Sequence, residues 1–430
     1  MTGSDGDTIF ALSSGAPPAG IAVIRISGGQ AGAALQALAR RLPPPRTASL
    51  ALLKDPRNDA PLDRALLLWL PGPATVTGED MAELHCHGGR AVVAAVEDAL
   101  AAMPGLRRAE AGAFTRRAFN NGRMDLNAVE GLSDLLAAET QGQRRAALMM
   151  AEGHFSRRID SWCRGLLDLS AMAEAALDFS DEDDVPDAAI ETRIGSGIAA
   201  LVQDVAAILA APSAERLRDG IRVVLAGPPN TGKSTLLNAL VGREAAIVSE
   251  IAGTTRDRIE VPAAIGGTAF LFTDTAGLRG ETDDAIEAIG IDRARAALDA
   301  ADIILWLGDA AELPRGDALL IAAQCDRDDA DRPGLPLSAH TGEGMDNLVA
   351  TLQARAAALL PGEGDYALHA RQRQQVGQLY AHLEAAGATA DLLVIAEDLR
   401  QARRTIDALT GQAGTEDMLD RLFSGFCIGK

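Results

Sequence analysis

A chain of 430 residues, 47% apolar, 23% charged and 3% aromatic, has a globular composition and enough length for two to four ordinary domains. Its 60 acidic residues outnumber 40 basic ones, giving a net charge of -20, which repels a polyanion and excludes a general nucleic-acid coat or a polybasic membrane binder. Contact with RNA therefore requires a local basic patch or a partner that supplies one.

Met1 to Phe10 carries neither the basic start nor the apolar stretch of a secretory signal. No run of about 18 uncharged apolar residues follows, so a soluble, cytoplasmic protein that does not engage a membrane is expected. The cysteines Cys86, Cys163, Cys325 and Cys427 lack CxxC spacing, which predicts reduced thiols rather than a disulfide framework or a zinc site. His85 and His87 flank Cys86, but with no second ligand pair nearby they are read as structural.

In chain order, Ile21 to Ile26 ends at Ser27-Gly28-Gly29 and Leu66 to Leu70 ends at Pro71-Gly72-Pro73; both read as strands. With the Ala-rich helical stretch Ala91 to Met103 they predict an α+β domain. From about Asn120 the pattern turns helical. Ile190, Ile194, Ile198, Leu201, Val205 and Ile208 recur at helical spacing and form one stripe of a bundle helix. The acidic turn Ser180 to Pro186 separates that helix from an earlier one containing Leu166, Leu169 and Met172. After Gly220, apolar strands alternate with helices to about Leu360, the signature of a parallel α/β sheet. Pro361 to Gly364 breaks the chain, and helical spacing returns in Val376, Leu379 and Leu383 and in Leu399, Ala402, Ile406 and Leu409. An α/β domain is thus expected as an insertion in a helical one, which requires its two ends to lie close together.

The strand Ile221 to Ala226 runs into Gly227-Pro228-Pro229-Asn230-Thr231-Gly232-Lys233-Ser234 and the helical Thr235 to Leu240, a GxxxxGKS loop in its strand–loop–helix setting. Glycines let backbone N–H groups wrap phosphates at a helix N-terminus, Lys233 neutralises their charge, and the Ser234 hydroxyl suits Mg²⁺. Further along, Gly253-Thr254-Thr255-Arg256-Asp257 supplies a switch-loop threonine, Thr255, to complete the Mg²⁺ shell. The strand Ala269 to Thr273 delivers Asp274-Thr275-Ala276-Gly277, with Asp274 for the Mg²⁺ water shell and the Gly277 amide for the γ-phosphate. Leu278 stands where Ras-type enzymes carry a water-orienting glutamine, so another group must do that work. Either hydrolysis is feeble or a monovalent cation beside the phosphates supplies positive charge. For the base, Gln324-Cys325-Asp326 replaces most of the usual Asn-Lys-x-Asp motif. Asp326 keeps the carboxylate that accepts two N–H groups of guanine, whereas Ala323 and Gln324 predict weaker nucleotide affinity. Ser338-Ala339-His340 falls where a backbone loop contacts the guanine oxygen.

Beyond these motifs, the series Ile21 to Gly28, Thr77-Gly78-Glu79-Asp80, His87-Gly88-Gly89, Phe114 to Phe119, Asp274 to Arg279 and the terminal Phe426-Cys427-Ile428-Gly429-Lys430 resembles the MnmE (TrmE) family of tRNA uridine-modification GTPases along essentially the whole chain. The resemblance implies a multidomain α/β protein: an N-terminal α+β folate-binding and dimerisation domain (1–118), a discontinuous α-helical domain (119–217 and 363–430), and an inserted Ras-like P-loop GTPase domain with a mostly parallel sheet (218–362). It implies a homodimer that joins the flavoenzyme MnmG (GidA) in a heterotetramer and places an aminomethyl or carboxymethylaminomethyl group on the wobble uridine of certain tRNAs. GTP is the substrate hydrolysed, and 5-formyltetrahydrofolate or a related tetrahydrofolate supplies the one-carbon unit.

By position, the resemblance implies potassium held by Asn230 and Thr254 through side chains and by Ser249 and Ile251 through main-chain oxygens, and Mg²⁺ held by Ser234 and Thr255. GTP contacts extend over Asn230, Thr231, Gly232, Lys233, Ser234 and Thr235, over Ser249, Glu250, Ile251, Ala252, Gly253, Thr254 and Thr255, over Asp274, Thr275, Ala276 and Gly277, and over Asp326, Ser338, Ala339 and His340. Glu287 matches the glutamate that orients the attacking water, with Lys233 acting on the phosphates. Arg25, Glu83, Arg123 and Lys430 match folate ligands, Arg123 standing where a lysine is common; cations suit the glutamyl tail and a carboxylate the donor face of the ring. Cys427 is a catalytic nucleophile, a thiol positioned near the one-carbon unit, or a packed apolar cysteine. An assembly-factor GTPase resembling Era is the alternative reading, weakened by the lack of a basic C-terminus. A P-loop ATPase is disfavoured by Asp326 and Thr255.

Overall fold

The computed structural model describes residues 7–178, 187–244, 260–275, 292, 294–326, 333–362, 364–411 and 416–430. The chain divides into two compact units, residues 1–133 with 407–430, and residues 134–406. The acidic turn 180–186 lies outside the described residues.

The first unit contains a six-stranded sheet of β1 (Thr8–Leu12), β2 (Ala19–Ser27), β3 (Ser49–Lys54), β4 (Pro61–Leu70), β5 (Met81–Gly88) and β6 (Leu106–Arg108), in the order β3-β4-β5-β2-β1-β6. All neighbours are antiparallel except β1 and β6. Strand alternation sorts the side chains: Ile24 and Ile26 of β2, Ala65, Leu67 and Trp69 of β4, and Ala82, Leu84 and Cys86 of β5 are buried in one core with helices Ala31–Ala39 and Arg90–Ala101. The opposite face carries Val23, Arg25, Glu83 and His85, with Arg25 paired to Glu83 in register. Part of that face is closed by helix Ala113–Asn120, whose Phe114 packs on Ile9 and Ala11. Helical segments complete this unit: fully buried Asn127 donates its amide to the Leu409 carbonyl at 3.1 Å, and Phe423 and Phe426 pack on Val129.

In the second unit, helix Asp187–Ala210 buries Ile194, Ile198, Val205 and Ile208 and contacts helices His154–Asp178 and Ala370–Gly387. Residues Ile190–Asp219 are apolar enough by composition to cross a membrane. Here, however, Asp204 accepts the Trp162 Nε1–H at 2.6 Å and is ion-paired to Arg158, which is the packing of a bundle helix.

The same unit holds the second sheet, built from β7 (Ile221–Ala226), β8 (Glu260–Ile265), β9 (Thr268–Asp274), β10 (Ile303–Trp306), β11 (Leu319–Ala323) and β12 (Leu335–Leu337) in the order β12-β11-β10-β7-β9-β8. Among the described strands only β8 runs antiparallel to its neighbour. Central β7 is apolar nearly throughout because both faces are covered: Val223 and Leu225 pack with Leu236, Leu240 and Phe272 on one side, Val224 and Ala226 with Ile304 on the other. The two ends of this α/β segment are tied together. Ala214 N–H donates to Leu368 O at 3.0 Å, and the Arg373 guanidinium donates to Ala211 O at 2.7 Å and Leu209 O at 2.5 Å.

Candidate functional sites

Parallel strands end on a common edge, and β7, β9, β11 and β12 deliver there the loop 227–232, Asp274, Gln324 to Asp326, and Ser338 to His340. That edge is where open α/β sheets take their ligands. Gly227 leaves β7 at φ +148°, and a Cβ there would lie 2.4 Å from Leu307 O, so the turn admits no side chain. Asn230 (φ 62°) and Gly232 (φ 93°) are left-handed, which bends the loop into the start of helix Lys233–Glu244 and aims backbone N–H groups at an anion.

Lys233 is buried, and its Nζ donates to Gly227 O at 3.0 Å and Pro228 O at 2.6 Å, so the ammonium is held across the loop. Ser234 Oγ donates to Asp274 Oδ2. Asp274 reaches it because β9 pairs with β7 so that Asp274 stands opposite Leu225, and Thr275 locks that level by donating its N–H and Oγ–H to Leu225 O at 3.2 and 2.9 Å. A hydroxyl and a carboxylate at the start of the helix are oxygen ligands of the kind a hard divalent cation takes, directly or through water; this donor set fits Mg²⁺.

On the base side, Gln324 is left-handed at φ 61° and Cys325 N–H donates to Leu337 O at 3.2 Å, tying the β11 loop to β12. Burial raises the Cys325 thiol pKa, and the nearby Glu343 and Asp326 carboxylates push it the same way, which places Asp326 at this corner. Ser338 is buried and organises its own loop, accepting from Thr341 N–H at its hydroxyl and from Gly342 N–H at its carbonyl. The edge thus gathers the loop residues Asn230 to Thr235 with Asp274, Thr275, Asp326, Ser338, Ala339 and His340. Ser249, Glu250, Ile251, Ala252, Gly253, Thr254, Thr255, Ala276, Gly277 and Glu287 lie outside the described residues.

A second site stands on the partly closed sheet face of the first unit. Arg25 donates from Nη2 and Nε to Glu83 Oε1 at 3.0 and 3.1 Å, and His85 Nε2 lies 3.3 Å from Glu83 Oε2. The Arg25 guanidinium sits 5.9 Å over the Phe114 ring, and Phe114 N–H donates to Lys430 O at 3.3 Å, so Arg25 and the terminal lysine both meet Phe114. Arg123 lies against the 75–80 loop, its Cγ 3.3 Å from where a Gly78 Cβ would stand. An arginine–carboxylate pair beside a ring and a terminal lysine fits a ligand with both donor and anionic groups, as a tetrahydrofolate has. Cys427 is exposed. Cys86 lies on the other sheet face, where burial pushes its thiol up to about 12, leaving it protonated and unreactive at neutral pH. His87 instead pairs with Asp63 at 2.7 Å.

Two of the motifs that carry the family resemblance, Thr77 to Asp80 and Phe114 to Phe119, meet here. They form a polar network: Arg117 donates to Asp7 O, Ser27 O and Glu79 Oε2 at 3.0, 3.1 and 2.8 Å and to Asp7 Oδ1 at 2.6 Å. Ser27 Oγ also donates to Glu79 and meets Thr77 Oγ1, both at 2.8 Å. Since Ser27 follows Arg25 by two residues on the same face of β2, this network fixes the floor of the second site. Long-range pairs of this kind leave no periodic signal in a sequence.

Comparison with known proteins matches two family models, "GTP-binding protein TrmE N-terminus" over residues 8–123 and "MnmE helical domain" over residues 126–427. The protein named tRNA modification GTPase MnmE from Rhizorhabdus wittichii is 60% identical, covering 99% of this chain and 97% of that one. Its namesake from Novosphingobium aromaticivorans is 57% identical over 99% of this chain and 100% of that one. Among solved structures, the G domain of the T. maritima FeoB iron transporter matches 32% of this chain and 98% of that one at 23% identity, with a TM-score of 0.23. The two family models together with relatives of this identity and length show that the chain belongs to the MnmE family of tRNA modification GTPases.

Proposed function

We propose that the chain is a potassium-dependent GTPase that, with the flavoenzyme MnmG (GidA), adds an aminomethyl or carboxymethylaminomethyl group to C5 of the wobble uridine of certain tRNAs. It does so in the cytoplasm as a homodimer within a heterotetramer, with domains 1–118, 119–217, 218–362 and 363–430. The observation that carries the reading is the pairing of two sites in one chain: a phosphate loop with Ser234 and Asp274 at a sheet edge, and the Arg25–Glu83 pair beside Lys430 on a separate sheet.

At the first site, Lys233 neutralises the β/γ-phosphates and the helix start donates N–H groups to them. Ser234 and Thr255 would hold Mg²⁺, with Asp274 ordering its water shell. Asn230, Ser249, Ile251 and Thr254 would hold potassium, for which oxygen ligands are suited. These cations supply positive charge where negative charge develops during hydrolysis. Glu287 orients the attacking water, taking the place of the absent glutamine, and Asp326 reads the base with Ser338, Ala339 and His340. At the second site, Arg25, Arg123 and Lys430 bind the anionic tail of the folate and Glu83 accepts from its ring, with the Cys427 thiol near the one-carbon unit. The homodimer is supported by an apolar surface on the first sheet, where Ile21, Leu50, Leu52 and Leu66 are exposed.

The test is to digest total tRNA from cells lacking the protein and to measure wobble-uridine nucleosides by mass spectrometry. Loss of aminomethyl-type uridines, restored by the intact gene but not by Lys233→Ala, is the expected result. Unchanged nucleosides would overturn the reading and direct attention to ribosome assembly.

A further inference from the structure

The side-chain amide of Gln143 has each of its hydrogen-bonding positions engaged. Its oxygen accepts from Glu139 N–H and Thr140 N–H, both at 2.8 Å, and its nitrogen donates to Leu217 O at 3.0 Å and Arg218 O at 3.2 Å. The first pair belongs to a capping box on helix Gln141–Ala151, closed by Gln143 N–H to Thr140 Oγ1 at 3.3 Å. The second pair holds helix Ala214–Asp219, which runs through Gly220 directly into β7 and the phosphate loop. One amide therefore fastens the helical layer to the segment that feeds the nucleotide site.

The preceding residue faces a second element that leads to that site. A Cβ on Gly142 would lie 3.6 Å from Leu217 Cδ1 and 3.8 Å from the carbonyl oxygen of Gly267, which sits in the turn of the β8–β9 hairpin. This hairpin is paired continuously from Ile265–Thr268 to Glu260–Thr273. At its far end β9 presents Asp274 to Ser234, and β8 begins directly after the segment 245–259 that carries Thr255. A laddered hairpin moves as a stiff bar, so a change at the cation end displaces the Gly266–Gly267 turn against Gly142. An open crevice of about 380 Å³ lined by Glu139, Thr140, Arg144, Ala264 and Gly267 adjoins the turn, leaving room for that displacement. Hydrogen bonds hold Gln143 in the joint, and they exchange partners more readily than an interdigitated apolar core repacks.

Building on the GTP-binding reading above, we infer that Gln143 and Gly142 form the joint through which nucleotide state, carried along the β8–β9 hairpin, is passed to the helical layer. Gln143 is a positioning residue: it touches neither nucleotide nor folate.

Hydrogen exchange on the full-length protein, with GDP and with a non-hydrolysable GTP analogue, tests this. Protection at 227–235 reports nucleotide binding, and protection at 138–144 and 264–268 reports the joint. Exchange at 138–144 is expected to differ about fivefold or more between the two nucleotides, the low end of usual coupling factors. If 227–235 responds while 138–144 does not, the inference is overturned and the GTP reading stands; if 227–235 does not respond, the GTP reading itself fails and the inference falls with it. Gln143→Ala is expected to keep GTP affinity and hydrolysis while abolishing the nucleotide response at 138–144 and lowering tRNA modification about tenfold. A variant that keeps that response overturns the joint, whatever its stability.

Discussion

Asp55 is 5% exposed and yet ionised, because the residue two places along wraps it. Arg57 donates from Nε and Nη2 at 2.9 and 2.6 Å and from its backbone N–H at 2.9 Å. These hydrogen bonds outweigh desolvation and hold the carboxyl at about 2, against an ordinary 3.8. A carboxylate whose folded pKa is depressed stabilises the fold above its unfolded pKa of about 4 and loses that contribution as pH falls towards the folded value. Asp55→Asn should therefore be less stable than the parent by a constant amount above about pH 4, and the gap should narrow on further acidification. Urea melts across that range check this, and curves that stay parallel would show that the pair is not linked to folding. The same turn shows what a linear reading misses at this scale. Lys54, Asp55, Arg57 and Asp59 look like solvated charge in sequence, and only the tight turn between β3 and β4 makes Asp55 buried.

At the scale of elements, the C-terminal tail behaves as a strand too short to read. Ile428 bridges Ala111, and Gly429 at φ +95° approaches β1 so closely that a Cβ would lie 2.2 Å from Leu12 O. Gly429→Ala should lift the tail from β1 and carry Lys430 away from Arg25 and Phe114. Little core is lost, so melting should change slightly, while tetrahydrofolate affinity should fall about tenfold, equivalent to about 1.4 kcal/mol. Calorimetric titration decides it; full affinity in the alanine variant would remove the tail from the site. Longer elements were legible for a physical reason: β7 coincides with the apolar run Ile221 to Ala226, and the stripe from Ile190 to Ile208 lies on helix Asp187–Ala210. β5 is less legible as a strand because its outer positions Glu83, His85 and His87 are polar; alternation is readable at His85 to His87, and its inner positions Ala82, Leu84 and Cys86 alternate as a half-buried strand must. The phosphate loop was legible as a motif, whereas the polar floor made by Ser27, Thr77, Glu79 and Arg117 was not, since its members come from segments up to 90 residues apart.

For the whole molecule, the net charge of -20 is not evenly spread. Residues 1–133 with 407–430 hold 15 of the 40 basic and 17 of the 60 acidic residues, so nearly all of the excess negative charge belongs to residues 134–406. A polyanionic tRNA is repelled by the second unit and met by a nearly neutral first one. That first unit also exposes an apolar patch on the outer side of β3 and β4. Leu50 and Leu66 pair in register across β3 and β4 and are 57% and 38% exposed, with Leu52 next on the same side of β3 at 41%. The inner face of the same strands is fully packed against helices Ala31–Ala39 and Arg90–Ala101, so the outer one is available to a second copy. Leu50→Glu separates the possibilities. In a monomer an exposed leucine changed to glutamate shifts stability by no more than about 0.5 kcal/mol; in a dimer joined through this face it buries a charge against apolar surface, a cost the interface cannot meet. On the homodimer proposal, the parent should sediment at twice the mass of one chain, and the variant should keep its fold and its GTP binding while sedimenting as a single 44.7 kDa chain. A variant that still sediments as a dimer would place the interface elsewhere, because a dimer joined here would have to bury the new carboxylate against Leu52 and Leu66.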